Sequence, residues 1–309
     1  NTNYMDMAMS LSRPHPKYPH TEVGVKLGDE QFARDWNWAE RKIWAVVGMG
    51  IEPGLSDVLA KYASDELFSQ IDELTVLDGS NIVIEGDSFA PSFSIWTTIE
   101  ECLNPPLVWE DGKGWFTTKP FSEPQIFDFP EGIGPVECVN VEHEEVVLIP
   151  QKIEAKKVNF KYGLGKEFID ILKTINKLGL DKKENVDVQG VSVSPRDLLT
   201  ASLPDPATLG SRMKGKTCAG VLVKGLDKEG KPKATYLYHV VDNEWSMKEY
   251  GDQAVVWQTA LNPVVAMELI HNGTWKPQSV MGPEWFEPKP YLDLVNEYGA
   301  PWKMREEKV

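Results

Sequence analysis

The sequence predicts a mixed fold, α/β at its ends and α+β through its middle, and three observations carry this. Residues 43–60 read as a buried strand, a glycine turn and an amphipathic helix, one half of a doubly wound unit. Beyond about Leu67 the pattern changes to short alternating runs typical of antiparallel sheet. Apolar helices return near the C-terminus.

The aromatic segment Asp35-Trp36-Asn37-Trp38 leads into Ile43-Trp44-Ala45-Val46-Val47, an apolar run without alternation, as in a parallel strand covered on both faces. Leu55, Val58, Leu59 and Tyr62 then fall at i, i+3, i+4 and i+7, one face of a helix. The two meet at Gly48-Met49-Gly50-Ile51-Glu52-Pro53-Gly54. Ligands of open α/β sheets sit at the carboxyl ends of strands, where a glycine turn and a helix N-terminus face them, so this turn is the first candidate site. Its glycines are not a dinucleotide fingerprint, because the third comes one residue late and Pro53 fills the start of the helix. A tight turn that needs small residues is the plainer reading, and a β-branched residue at Gly54 is expected to cost only about 1 to 3 kcal/mol.

Further on, residues 74–77 and 81–85 flank Asp78-Gly79-Ser80, a turn signal between short strands. Val139, Val141 and His143 alternate with polar neighbours, as do Val158, Phe160 and Tyr162. Residues 220–223 pair with 236–240 across Asp227-Lys228-Glu229-Gly230. Phe168, Ile171, Leu172, Ile175 and Leu178 form a helical stripe ending at Gly179, and Ser194-Pro195 opens another helix that Pro204-Asp205-Pro206 stops. A third helix spans 256–271, bent at Asn262-Pro263 and closed by Gly273, and a last one carries Tyr291, Leu292, Val295 and Tyr298 before Gly299.

With 32 basic against 47 acidic side chains the net charge is −15, which argues against a nucleic acid or an anionic membrane as partner and favours a cationic or zwitterionic small molecule. There is no apolar run long enough to span a bilayer and no signal peptide. Cys102, Cys138 and Cys218 are scattered and odd in number, so a reducing cytoplasm is expected.

Three motifs carry possible chemistry. Gly86-Asp87-Ser88 after residues 82–84 presents a serine as one esterase class does, but its histidine would have to come from Glu268-Leu269-Ile270-His271 inside an apolar helix. A plain loop after a strand fits as well. Glu142-His143-Glu144-Glu145 is the densest titratable cluster, yet it is not HExxH. Strand alternation would send its neighbours to opposite faces, so no metal is expected. On that reading His143 and Glu145 share the face of Val139 and Val141, His143 being either a satisfied structural residue or a proton relay. His239-Val240-Val241-Asp242-Asn243-Glu244-Trp245 suits an amine or a simple turn, and Trp257-Gln258-Thr259 suits either donors into a cleft or helix packing.

Taken together, Tyr4-Met5-Asp6, Asp35-Trp36-Asn37-Trp38, Gly50-Ile51-Glu52-Pro53-Gly54, Val141-Glu142-His143-Glu144 before Ile149-Pro150, Ser202-Leu203-Pro204-Asp205-Pro206, residues 238–242, Gln258-Thr259 and Gly282-Pro283-Glu284 resemble the saccharopine dehydrogenase family, in particular its carboxynorspermidine and lysine-6-dehydrogenase-like branch. The collinear order runs through nearly the whole chain.

The resemblance implies a cytoplasmic NAD(P)-dependent oxidoreductase that makes or breaks a C–N bond of an amino-acid or diamine derivative through an imine, commonly as a homodimer. It further implies that residues 1–74 are the later part of a Rossmann-like domain, that 75–254 form an inserted α+β substrate and dimerisation domain with a mixed or antiparallel sheet, and that 255–309 are helices returning to the first. Because the chain opens on Asn1-Thr2-Asn3-Tyr4 and lacks the family's GxGxxG strand and acidic ribose ligand, it is expected to be the C-terminal three-quarters of such an enzyme. The expected roles are Glu52, Pro53, Gly54 and His143 at the reacting carbon, and Tyr4, Gly48 and Gly50 on the cofactor side. From charge alone, and not from the resemblance, Glu52 or Glu144 would hold the substrate ammonium and Lys161 or Arg196 its carboxylate, with Trp96, Asp242, Gln258 and Thr259 around the substrate. The rivals are a non-catalytic binding or dimerisation module, and a serine hydrolase using Ser88.

Overall fold

The computed structural model describes residues 2–86 and 89–309; the Ser88 hydrolase reading lies outside the described residues. The apolar run 43–47 places Ala45–Val46 as the fully buried middle strand of a small parallel sheet, between Tyr4–Met5 and Val280–Met281. The turn then delivers the helix Leu55–Tyr62, which lies between the long strands of a second sheet and the helix Pro288–Glu297. Packed on both sides, it buries Ser56 and Asp57 as completely as Leu55, Val58 and Leu59. Two polar groups are thereby committed to the interior, where each needs a partner or a proton.

Among the described residues the second sheet has nine strands. Along its path they run Trp302–Glu306, Pro232–Asp242, Lys216–Asp227, Phe68–Ser80, Lys157–Gly163, Leu107–Glu110 and Gly114–Thr117, while Gly134–Asn140 pairs with Lys157–Gly163 and with Gln125–Phe129. Phe68–Ser80 and Lys157–Gly163 are parallel; the remaining pairs are antiparallel. The hairpin expected at 220–223 and 236–240 extends over Lys216–Asp227 and Pro232–Asp242.

Four local expectations change. Asp78-Gly79-Ser80 is no turn but the end of the strand Phe68–Ser80, because partners are present on both sides: Gly79 sits opposite Cys218 and Gly163. A side chain at Gly79 would meet the Phe129 ring at 2.5 Å, so glycine here admits a ring rather than a bend. Val83–Ile84 pairs instead with Met213–Lys214. The strand expected through His143 stops at Asn140, and residues 141–144 curl into the short helix Glu145–Leu148. The C-terminal return is not helical throughout, since Trp302–Glu306 adds an edge strand to the large sheet beside Pro232–Asp242.

The helices Lys166–Leu178, ending on left-handed Gly179, and Pro195–Ser202, capped by the Ser194 hydroxyl, lie where their punctuation puts them. The helix Ala254–His271 carries Pro263 inside it. Proline has no N–H, so the Thr259 carbonyl is left without its i+4 donor.

Candidate functional site

At the carboxyl end of Ala45–Val46 the chain folds back on itself. Gly50 N–H donates to the Pro53 carbonyl at 2.7 Å, Leu55 N–H to the Gly50 carbonyl at 3.1 Å, and Gly48 N–H to Asp6 Oδ1 at 2.7 Å. Asp57 Oδ2 accepts from Gly54 N–H at 2.8 Å and closes the start of the helix. Gly48 has therefore spent its N–H on Asp6 and Gly50 its N–H on Pro53, and neither is free for a pyrophosphate, which needs such groups. Tyr4 lies in the outer strand with its ring against Trp38, half exposed. The turn does, however, aim Glu52 into a cavity of about 430 Å³.

Four carboxyl groups and a histidine from four elements meet there: Glu52 from the turn, Asp78 from the end of Phe68–Ser80, Glu101 from the helix Ile95–Leu103, and His143 and Glu144 from the segment after Asn140. Pro53, Met7, Phe93, Tyr162 and Thr259 complete much of the wall, and no lysine or arginine is among the described residues lining it. Glu142 N–H donates to the Glu101 carbonyl at 3.1 Å, which fixes the His143 segment against that helix.

His143 stacks on Phe160 with ring centroids 4.0 Å apart, and its Nδ1 lies 2.5 Å from Glu145 Oε2 and 3.4 Å from Glu144 Oε2. Burial works to lower its pKa, but the carboxylates of Glu145, Glu144 and Glu101 outweigh burial and hold it charged well above the usual range. Ser56 Oγ donates to the other oxygen of Glu145 at 2.8 Å. Glu144 Oε1 accepts from Met9 N–H at 3.2 Å, which straps residues 7–9 along the cavity.

Burial pushes Asp78 and Glu101 up to about 8, with His143 pulling down and neighbouring carboxylates pushing further up, and raises Glu52 well above the ordinary carboxylate range. Glu52 Oε1 accepts from Gly220 N–H at 3.2 Å, whereas Asp78 Oδ1 is buried without a partner. Ligand atoms of His143, Glu144 and Glu145 lie within 4.8 Å of one another, a spacing that could hold a cation, contrary to the alternation expected of them. The reason is the helical turn at 144–148, which gathers neighbours that a strand would separate.

Of the remaining residues singled out in the sequence, Thr259 lines this cavity and Gln258 lines a narrow extension of it, where its Nε2 is 3.1 Å from His239 Nδ1. Four others lie elsewhere. Arg196 donates to Glu100 Oε2 at 2.5 Å and to the Asp181 carbonyl at 2.6 Å, and its guanidinium lies 4.8 Å from the Trp96 ring centre, as does Lys183 Nζ. This is a clasp between the helix Ile95–Leu103 and the start of Pro195–Ser202. Lys161 Nζ donates to the Glu123 carbonyl at 2.6 Å, and Asp242 caps the helix Asn243–Tyr250 through Trp245 N–H.

Asp78 and Glu101 are absent from the sequence-based set. Asp78 was hidden by the turn signal around it. Glu101 adjoins the buried stripe Ile95, Thr98, Ile99 and Cys102, so an acid beside an apolar stripe was the available signal.

Comparison with known proteins agrees with this architecture. The structure resembles apo saccharopine dehydrogenase (L-Glu forming) from Saccharomyces cerevisiae, with a TM-score of 0.66 at 13% identity over 93% of this chain and 78% of that one. It also resembles the homospermidine synthase of Legionella pneumophila solved in complex with NAD, with a TM-score of 0.65 at 12% identity over 99% and 71%. The fold is thus a mixed α/β one of the kind those enzymes share. The model of the saccharopine dehydrogenase C-terminal domain matches residues 50–300, and the chain belongs to that family. Among its relatives are the carboxynorspermidine synthase of Vibrio alginolyticus, 30% identical over 300 residues (94% of this chain, 72% of the relative), and the carboxyaminopropylagmatine dehydrogenase of Synechocystis, 29% identical over 279 residues (88% and 69%).

Proposed function

We propose that this chain supplies the substrate domain of an NAD(P)-dependent oxidoreductase that transfers hydride to or from the C–N bond of a polyamine or amino-acid derivative. The observation that carries the reading is the cavity beside Glu52-Pro53-Gly54, lined by four carboxyl groups and a histidine with no lysine or arginine among its described lining residues. Such a cavity suits an ammonium and repels a carboxylate. The names of the relatives, a carboxynorspermidine synthase and a carboxyaminopropylagmatine dehydrogenase, support an amine substrate.

The nicotinamide, when bound, supplies the hydride; the chain's own residues do the rest. Glu52, Asp78, Glu101 and Glu144 hold the ammonium and favour the positive charge that develops at an iminium carbon. His143, held by Glu145 and oriented by Phe160, is placed to give or take the proton at the reacting nitrogen. Thr259 and Phe93 narrow the cavity and limit water around the imine.

The test, made on the enzyme that contains this domain, follows NAD(P)H absorbance with aspartate semialdehyde plus 1,3-diaminopropane or agmatine, and NAD(P)⁺ reduction with lysine or saccharopine. Amine-dependent turnover that His143→Gln abolishes supports the reading. Turnover with none of these substrates, alongside a stable dimer, would return the chain to the class of binding modules.

A further inference from the structure

Resting on that reading, we propose that amines enter this cavity in exchange for protons, so that each ammonium bound expels about one proton from the carboxyl groups of Glu52, Asp78 and Glu101. The argument begins with geometry. Glu52, Asp78, Glu101 and Glu144 face one cavity, and the positive charge available in the wall is His143, already engaged by Glu144 and Glu145. Four carboxylates facing one cavity are costly to ionise together. Glu52, Asp78 and Glu101 share only the charge of His143, and Asp78 Oδ1 has no hydrogen-bond partner.

The surroundings offer no relief from any side. Tyr162, from the strand Lys157–Gly163, is held neutral by burial and the neighbouring acids. Behind the His143 segment lie Glu145, Asp57 and Glu284, all fully buried, with Asp57 Oδ1 and both Glu284 oxygens lacking partners. Glu142, on the far side, is satisfied by Ser12 and Asn104. The cavity without ligand therefore stores protons, in keeping with the positions of Asp78 and Glu101 near 8.

An ammonium supplies what the cluster lacks, a positive charge and three donors. Its arrival makes ionised carboxylates favourable again, and their protons leave. Binding and proton release are linked, so affinity must rise with pH by about tenfold per unit for each proton released.

The experiment is calorimetric titration of the full chain, with and without saturating NADPH, using 1,3-diaminopropane and propylamine as probes. Titrations at pH 7 in buffers of different ionisation enthalpy give the number of protons released. The expected result is about one proton released per ammonium bound and a Kd that tightens from pH 6.5 to 8.5. Asp78→Asn and Glu101→Gln each remove a proton store while keeping shape, and each lowers the count by about one. Diamine binding with a buffer-independent heat and a flat Kd overturns the proton exchange while leaving the amine site standing. No diamine binding under any condition overturns the amine reading and this inference with it.

Discussion

Replacing Gly54 by alanine tests the turn that aims Glu52. Gly54 has φ 135° and ψ −90°, a conformation that L residues rarely adopt, and a Cβ there would lie 2.0 Å from the Gly50 carbonyl oxygen and 2.6 Å from the Gly50 nitrogen. Both obstacles are backbone, so no side chain can swing aside. Relief requires opening the Gly50–Gly54 bridge, with loss of the Gly50 N–H to Pro53 and Leu55 N–H to Gly50 bonds. Strain of about 1 to 3 kcal/mol plus two bonds at about 0.5 to 1.5 kcal/mol each gives about 2 to 6 kcal/mol. For 309 residues, with an unfolding entropy of about 2.1 cal/mol/K per residue, each kcal/mol lowers Tm by about 1.5 °C, so a loss of about 3 to 9 °C is expected. This exceeds the modest cost expected from the sequence, and activity should fall with stability rather than apart from it. Gly251→Ala is the control, because Gly251 also has positive φ but nothing within 4 Å of a Cβ, leaving strain alone at about 1 to 2 kcal/mol. Scanning calorimetry of both variants decides the matter. A Gly54→Ala melt within a degree of Gly251→Ala would refute the steric argument.

Arg196→Met should destabilise by up to about 3 kcal/mol, the lower end for a broken buried pair because Lys183 stays on Glu100, and should leave the amine KM unchanged; a raised KM with an unaltered melt would put Arg196 back at the substrate. Stability should also depend on pH in an unusual sense. Asp78, Glu101 and Glu284 at about 8 and Glu142 at about 7 bind protons in the folded chain that they give up near 4 when unfolded. Their contribution is therefore complete below about pH 4 and is lost as pH rises through 7 to 8, whereas His239, lowered to about 4, opposes this only between about 4 and 6.5. A melting temperature higher at pH 6.5 than at pH 8.5 is expected, and the reverse order would show that the cluster is ionised.

Elements whose signals are local were legible. The strand-turn-helix of 43–60 rests on an uninterrupted apolar run and a helical stripe. The Gly179 stop and the Ser194 cap rest on backbone chemistry confined to a few residues. Asp78-Gly79-Ser80 misleads because its turn propensity is real but weak, and two waiting partner strands outweigh it. His143 and Glu145 do meet, though not because a strand continues: a helical turn brings them together, and Ser56, 89 positions away, fixes the far side of the pair.

The site itself was half legible for a physical reason. Glu52, His143 and Glu144 lie beside motifs, but Asp78 and Glu101 become informative only once the sheet and the helix Ile95–Leu103 set them around one cavity. Each acid is unremarkable alone, and on a surface it would be the ordinary solvated choice. What marks them is a shared cavity without a lysine or arginine, a property of the assembled fold and of no single segment. A chain gains nothing in stability from such a cluster, since replacing buried ionisable groups by apolar ones of the same shape is commonly neutral or stabilising. Its persistence beside a strand-end turn, with His143 held charged at its edge, is best accounted for by a ligand that brings the missing positive charge with it.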